Sequence, residues 1–325
     1  MISLTTTLAT GRKSAFYKDV MNGLRASQKY LPSKYFYDET GDKLFQQIMA
    51  CQEYYPTRCE MDIMQHQSIE MARLFTEPGD PFDLVELGPG DATKSWHLLR
   101  QLLKVKASFT YYPIDISSNV IGWLEDRLPA GLPGLHLHGL NGDYMDKMEE
   151  VEQLSERRKV VLFMGANIGN MTVQQATFFC RQLYDRMRPG DLLLIGFDLK
   201  KHPGTILAAY NDRQGITRAF NLNLLTRINR ELDADFDTAR FDHYPVYDPA
   251  TGACKSYLIS AADQQVHIGE EVIEFRQHEP LYMEISQKYT MDEISYMGRQ
   301  AGFEHLHSFY DPNEWFADIL WQRMP

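Results

Sequence analysis

The chain has 325 residues, 44% hydrophobic and 24% charged, an ordinary globular composition with room for about two domains. Its net charge of -11 argues against a nucleic-acid partner, which demands clustered Lys and Arg, and no basic stripe with interleaved aromatics occurs. No apolar run approaches the roughly 20 residues of a membrane span, so no membrane partner is expected. The opening MISLTTTLATGRK lacks the charged-then-apolar pattern of a secretion signal. With Cys51, Cys59, Cys180 and Cys254 too scattered for zinc spacing or a disulfide framework, the expectation is a cytoplasmic monomer with reduced thiols. The HxH pairs His136/His138 and His305/His307 each fall on one strand face by period two, but further ligands are missing nearby, so no metal is expected.

Strand and helix patterns alternate through the middle of the chain. Apolar strands are expected at Asp83–Leu87, Ser108–Ile114, Leu135–His138, Val160–Met164 and Asp191–Phe197. Helix patterns fall between them at Thr93–Leu103, Val120–Arg127 and Val173–Met187, the last stopped by Pro189–Gly190. This alternation predicts a parallel sheet covered on both faces. Near the end, Thr290 and Glu293 form a capping box, opening a helix that runs to Gly302. Strands are expected next at Phe303–Tyr310 and Phe316–Gln322. A helix and two closing strands are how class I methyltransferases finish a Rossmann-like, doubly wound α/β sheet, with a C-terminal antiparallel hairpin.

Roughly ninety residues separate the fifth strand from this last helix, far more than an ordinary connection. They hold a helical part, Gly204–Leu232, and strand-like pieces at Ser256–Ser260, Val272–Arg276 and Tyr282–Ser286. The reading therefore assigns 60–199 and 289–325 to a cofactor-binding domain. It assigns 1–59 and 200–288 to a second, α+β substrate-binding domain that closes the site beyond the strand C-termini.

The stretch ELGPGDATK, Glu86–Lys94, carries the first chemical signal. A dinucleotide fingerprint wants a third glycine or alanine where Thr93 stands, and a P-loop wants GK[ST]. Gly88 and Gly90 permit close backbone approach without a strong phosphate cradle, while Glu86 repels phosphate and suits a cation. S-adenosylmethionine, with a sulfonium and an ammonium and no phosphate, fits that loop. Asp115, ending the second strand, can accept both ribose hydroxyls. Asp143 of NGDY can accept the adenine amino group, with Tyr144 beside the ring.

These motifs resemble the bacterial histidine Nα-methyltransferases of ergothioneine biosynthesis, from about Tyr17 to the C-terminus. The landmarks are YFYDETGDKLFQQI, EYYPTR, ELGPGDATK, LFMGANIGNMT, AAYND, GITRAFNLNLL and MEISQKY. The resemblance implies S-adenosylmethionine-dependent trimethylation of the α-amino group of histidine to hercynine, a small-molecule amino-acid substrate. It puts Tyr37, Gly165 and Asn170 around the amine, with Tyr37 and Asn170 holding it for reaction. Asn170 and Tyr210 hold the carboxylate, and Tyr54, Glu284 and Ser286 surround the imidazole. Glu86, Gly88, Gly90, Lys94, Asp115, Asp143 and Tyr144 form the cofactor site, Tyr144 replacing a usual Phe. Of Tyr54 and Tyr55, one is expected in the core and one in the site. Where the family often has a methionine lining the side-chain pocket, this chain reads CKSYL and Ser256 takes the place. That departure keeps another aromatic amino acid or amine, such as tryptophan, open as substrate. A nicotinamide oxidoreductase is disfavoured by the missing third glycine and the closing hairpin, and an inactive scaffold by the intact polar set.

Overall fold

The computed structural model describes residues 14–77 and 79–324, so the N-terminal stretch read for a secretion signal lies outside the described residues. The chain divides into two compact units, Met1–Tyr55 with Lys201–Ser286, and Pro56–Lys200 with Gln287–Pro325. Strands, in chain order, are β1 (Phe82–Leu87), β2 (Phe109–Asp115), β3 (Leu140–Asn141), β4 (Arg158–Phe163), β5 (Leu192–Asp198), β6 (Phe241–Asp248), β7 (Ala253–Ser260), β8 (Gln264–Ile268), β9 (Glu271–Phe275), β10 (Pro280–Gln287), β11 (Phe303–Tyr310) and β12 (Phe316–Arg323).

The second unit carries a seven-stranded sheet in the order β11-β12-β5-β4-β1-β2-β3. The β3-β2-β1-β4-β5 portion is parallel, while β12 pairs antiparallel with β5 and β11 with β12. This is the class I methyltransferase sheet, with the helix Met291–Ala301 leading into the antiparallel hairpin. Every residue of β1 and β5 is buried, because helices lie on both sheet faces and leave no strand face to water. The core of this unit includes Val85, Val161, Phe163, Leu193, Phe197 and Trp321. Two helices start as their sequences dictate. Thr172 with Gln175, and Thr290 with Glu293, close capping boxes that satisfy otherwise orphaned N–H donors.

The third strand departs from the sequence expectation. Leu135–His138 contributes one bridge, Leu137 to Tyr111, and the ladder resumes at Leu140 and Asn141. Between them lies Gly139, where a Cβ would stand 2.5 Å from Ile121 Cγ2. The helix Ser118–Gly131 presses on the backbone there and interrupts the pairing. The His305/His307 pair also differs from expectation. A β-bulge between His305 and His307 breaks their alternation, and His305 instead meets Ser308 Oγ at 2.8 Å. Among the described residues no cluster of three or more His, Cys, Asp or Glu side chains could hold a metal, and no helix is long and apolar enough to cross a membrane. All four cysteines are buried and unbridged.

The long insertion leaves and returns side by side within this unit. Leu199 bridges Tyr289, and the Lys200 N–H donates to the Tyr289 carbonyl at 2.8 Å. A buried ion pair, Lys288 Nζ to Asp198 Oδ2 at 2.6 Å, closes the crossing.

The first unit is α+β. It holds a three-stranded sheet, β10-β7-β6, and the β8–β9 hairpin. Its core gathers Phe36, Phe220, Leu224, Leu258, Phe275 and Leu281. The helical stretch expected over Gly204–Leu232 is broken into Pro203–Ala209 and Ile216–Leu232. The break comes from Gly215, whose φ of 72° is left-handed, and from Asp212, which accepts from the N–H groups of Ile216 at 2.9 Å and Thr217 at 2.7 Å. Those two bonds give the second helix the N-terminal acceptor that Gly215 cannot supply.

Candidate active site

In the second unit the expected cofactor residues fall at the C-terminal ends of neighbouring parallel strands, where an open α/β sheet presents its crevice. Gly88 follows β1, Asp115 ends β2, Asp143 comes two residues after β3, and Gly165 comes two residues after β4. Gly88 and Gly165 have φ values of 71° and 78°, a left-handed backbone that glycine adopts without steric cost. A Cβ on Gly88 would stand 2.6 Å from the Tyr144 hydroxyl and 3.4 Å from Asn167 Nδ2. A Cβ on Gly165 would stand 3.3 Å from Lys94 Nζ and 3.5 Å from the same Asn167 nitrogen. Both glycines therefore leave open space that any other residue would fill. Gly90, φ 57°, lies at the exposed crest of the loop.

The two carboxylates are held by their own loops. Asp115, half-buried, accepts the Ser117 N–H at 2.8 Å. Asp143 caps the helix Tyr144–Leu154 by accepting the Met145 N–H at 2.9 Å. A carboxylate with one oxygen fixed by backbone keeps a defined orientation for the other. Burial, and next the charges of Asp115 and Asp143, push the Tyr144 hydroxyl well above its ordinary pKa, so it stays a protonated donor. Its ring meets Phe163 edge-on with centroids 6.0 Å apart.

Glu86, also expected in the cofactor site, is tied into the fold. The charge of Lys94, in the loop, reaches it. Glu86 is 2% exposed, and its two oxygens accept from Ser95 Oγ and Tyr111 OH, both at 2.6 Å. A carboxylate in a central buried strand has to be satisfied internally, because leaving it unpaired there costs several kcal/mol. Burial raises its pKa, against the lowering effect of the two hydroxyl bonds. Glu86 thus fixes β1 to β2 and to the start of the helix Ser95–Lys104, beneath the loop that follows it.

Past β4, Gly165 and Ala166 are both left-handed and lead into the short 3-10 turn Asn167–Asn170. Asn170 ends that turn exposed. The Gly165 N–H donates to Glu60 Oε1 at 2.6 Å, and Lys94 Nζ pairs with Glu60 Oε2. Glu60, Ser95, Tyr111 and Asn167 were not singled out from sequence. Asn167 lies inside MGANIGN and its position was available there; Glu60 gives no signal, since one acid on an amphipathic helix reads as a surface residue.

In the first unit three expected residues come together. The Tyr210 hydroxyl and Ser286 Oγ share a hydrogen bond of 2.7 Å, and the Tyr54 ring stands edge-on to Tyr210 with centroids 6.1 Å apart. Glu284, half-buried, lies two residues before Ser286 on β10 and so points to the same strand face. Tyr55 is buried, with Lys201 Nζ 2.9 Å from its hydroxyl and 4.1 Å from its ring centroid, while Tyr54 is half-buried. Ser256 is buried opposite Pro245 of β6. Tyr37 is 44% exposed, its ring edge-on to Phe45 and Phe220 at 5.6 and 5.8 Å.

The chain matches the model of the family described as histidine-specific methyltransferase, SAM-dependent, over residues 16–323. The chain belongs to this family. As a member of the histidine-specific methyltransferases it is an S-adenosylmethionine-dependent N-methyltransferase, and S-adenosylmethionine is its cofactor. It is similar to a histidine N-alpha-methyltransferase of Mycolicibacterium smegmatis, 33% identical over 306 residues that cover 94% of each chain. It is also similar to ergothioneine biosynthesis protein 1 of Neurospora crassa, 30% identical over 90% of this chain and 33% of that one. An L-tryptophan methyltransferase of Psilocybe serbica is 27% identical, over 86% of this chain and 85% of that one.

The residues of the second unit fit this cofactor. The set offers two carboxylates and two glycine backbones, and its one cation, Lys94, is paired with Glu60. Such a set suits hydroxyls and amines and makes a poor phosphate cradle.

Proposed function

We propose that the chain trimethylates the α-amino group of L-histidine, giving hercynine. The observation that carries the reading is a family match that runs through both units. On the second unit, Gly88, Gly90, Lys94, Asp115, Asp143 and Tyr144 hold the cofactor, with Asp115 on the ribose hydroxyls and Asp143 on the adenine amine. Gly165 and Asn170 address the amine of the substrate, and Asn170 also its carboxylate. On the first unit, Tyr37 addresses the amine and Tyr210 the carboxylate. Tyr54, Glu284 and Ser286 take the imidazole, beside the buried Ser256.

The bound cofactor supplies an electrophilic methyl on a sulfonium. In each transfer the amine lone pair forms the new N–C bond, the C–S bond breaks, and sulfur keeps the electron pair. One proton leaves per transfer, so three protons and three molecules of S-adenosylhomocysteine accompany each hercynine. A free α-amine is mostly protonated near pH 7. The site must therefore hold the neutral amine with its lone pair aimed at the methyl. Tyr37 and Asn170 are neutral hydrogen-bonding groups and do so without an opposing charge that would keep the proton on. Holding attack geometry is worth several kcal/mol.

A second reading, tryptophan or a related amine, is favoured by Ser256 where the family often has methionine, and by the similarity to the Psilocybe serbica enzyme. The test is mass spectrometry of products with histidine and tryptophan, joined to Glu284→Ala. For histidine, the variant should lower the ratio of kcat/KM for histidine over tryptophan at least tenfold, because a site built to pair a polar N–H rejects analogues that leave it unpaired. An unchanged ratio would mean that Glu284 does not read the imidazole.

A further inference from the structure

Behind the cofactor loop of the second unit lies a charged cluster that the proposed reaction does not use directly. Glu60 sits on the helix Tyr55–Thr76 and is 1% exposed. Its two oxygens are divided between two different site elements. Oε1 accepts the Gly165 N–H at 2.6 Å, and Oε2 pairs with Lys94 Nζ. Asp318 of β12, fully buried, is its neighbour. A Cβ on Gly196 of β5 would stand 2.5 Å from Glu60 Oε1 and 3.1 Å from Asp318 Oδ1, so both carboxyl groups crowd one point that only glycine leaves free.

We propose that Glu60 is a positioning residue for methyl transfer: one carboxylate fixes both the Lys94 ammonium at the cofactor loop and the Gly165 amide at the start of the MGANIGN turn. The proposal rests on the reading of Lys94 and Gly165 as site residues. Its basis is that one buried group bonds to both, although Lys94 follows β1 and Gly165 follows β4. Movement of either element would break a charge-assisted bond to a buried carboxylate, a kind of bond that is short and strong.

The groups facing Lys94 are Glu60, Asp318 and Glu86. Burial works against the Lys94 charge, and the charge and bond of Glu60 outweigh it, leaving its pKa above the ordinary lysine value. Burial, and then the charge of Glu60, hold Asp318 well above the usual carboxylate range. Asp318 is thereby biased toward its protonated form beside Glu60.

The test compares Glu60→Gln/Asp318→Asn with Asp318→Asn alone, so that Asp318 cannot take over the lost charge. Against that background, removing Glu60 should weaken S-adenosylhomocysteine binding at least tenfold at pH 7 by calorimetry. The gap should widen at least threefold further by pH 8.5, as burial now acts on Lys94 against the charge of Glu86 only. Equal affinity and equal pH profile in the two proteins would overturn the proposal. Should the double variant not fold, Glu60→Asp decides. Its shortened carboxylate can still be reached by the flexible lysine but not by the Gly165 amide. Affinity should stay within threefold while kcat for histidine falls at least tenfold, and wild-type kcat would overturn the proposal. Lys94→Met separates the two layers. If it leaves cofactor affinity unchanged, the reading of Lys94 has failed; if it weakens affinity while the Glu60 variants match their references, Glu60 alone is wrong.

Discussion

Gly88→Ala offers a sharp test of the cofactor loop, because its cost divides into two parts with different partners. The first part is backbone. With φ at 71° an alanine must adopt the left-handed conformation, at about 1–2 kcal/mol. The second part is a collision, since the new Cβ would lie 2.6 Å from the Tyr144 hydroxyl, well inside van der Waals contact. The Tyr144 ring must then swing, and it is the ring proposed to lie beside the adenine. The expected result is a loss of S-adenosylhomocysteine affinity of more than tenfold, equivalent to more than about 1.4 kcal/mol, with a stability loss of about 1–2 kcal/mol in urea. Tyr144→Phe removes the colliding oxygen and leaves the ring. In that background Gly88→Ala should keep its stability cost and recover most of its affinity. Calorimetry and urea denaturation on the wild type, both single variants and the double variant close the cycle. If Gly88→Ala costs the same affinity in the Tyr144→Phe background as in the wild type, the collision is not the cause. If it costs no affinity in either background, the loop does not hold the cofactor.

The first unit supplies two more expected outcomes. Tyr210→Phe removes the 2.7 Å bond to Ser286 and should lower kcat/KM for histidine at least fivefold, roughly 1 kcal/mol for one hydrogen bond, with S-adenosylhomocysteine affinity unchanged by calorimetry. His243 is pulled down to about 4, chiefly by burial, and its buried Nε2 has no hydrogen-bond partner among the described residues. A depressed folded-state pKa means that stability is present above the unfolded value of 6.5 and is lost as pH falls toward 4, by roughly 3 kcal/mol in all. His243→Gln should flatten that part of the stability curve in urea denaturation between pH 7 and 4, and an unchanged slope would show that His243 is not what titrates.

The parallel strands were legible because burial on both faces leaves an unbroken apolar run. VVLFM and DLLLIGF can hardly be read otherwise once flanking helices supply the alternation. The closing hairpin was legible for a different reason: a capping box marks its preceding helix, and Gly302 marks where that helix ends. The third strand was placed too early because its interruption at Gly139 is caused by a side chain eighteen positions back, Ile121, pressing on the backbone. No local pattern records such an approach. The broken helix after Pro203 was missed in the same way, since AAYNDRQG reads as continuous until Asp212 is found capping the helix Ile216–Leu232.

Strand-end residues announce themselves in sequence, while the groups that support them do not. Gly88, Asp115 and Asp143 stand where apolar runs stop, so a polar or flexible residue there is conspicuous. Glu86 belongs to the run itself, and its bonds to Ser95 and Tyr111 leave no mark in the local pattern. Tyr111 looked like an ordinary strand aromatic and Ser95 like an ordinary helix residue. In the first unit the difference is sharper. Tyr210 is fixed by Ser286 and by a turn that Asp212 holds, through bonds spanning dozens of residues in one case and a handful in the other. Nothing in AAYND or MEIS alone implies that pairing; only the resemblance placed both at one substrate. Asp212 therefore carries a consequence of its own. Its two backbone bonds hold the start of the helix that comes after Tyr210, so Asp212 fixes the turn on which that tyrosine stands, two residues before it.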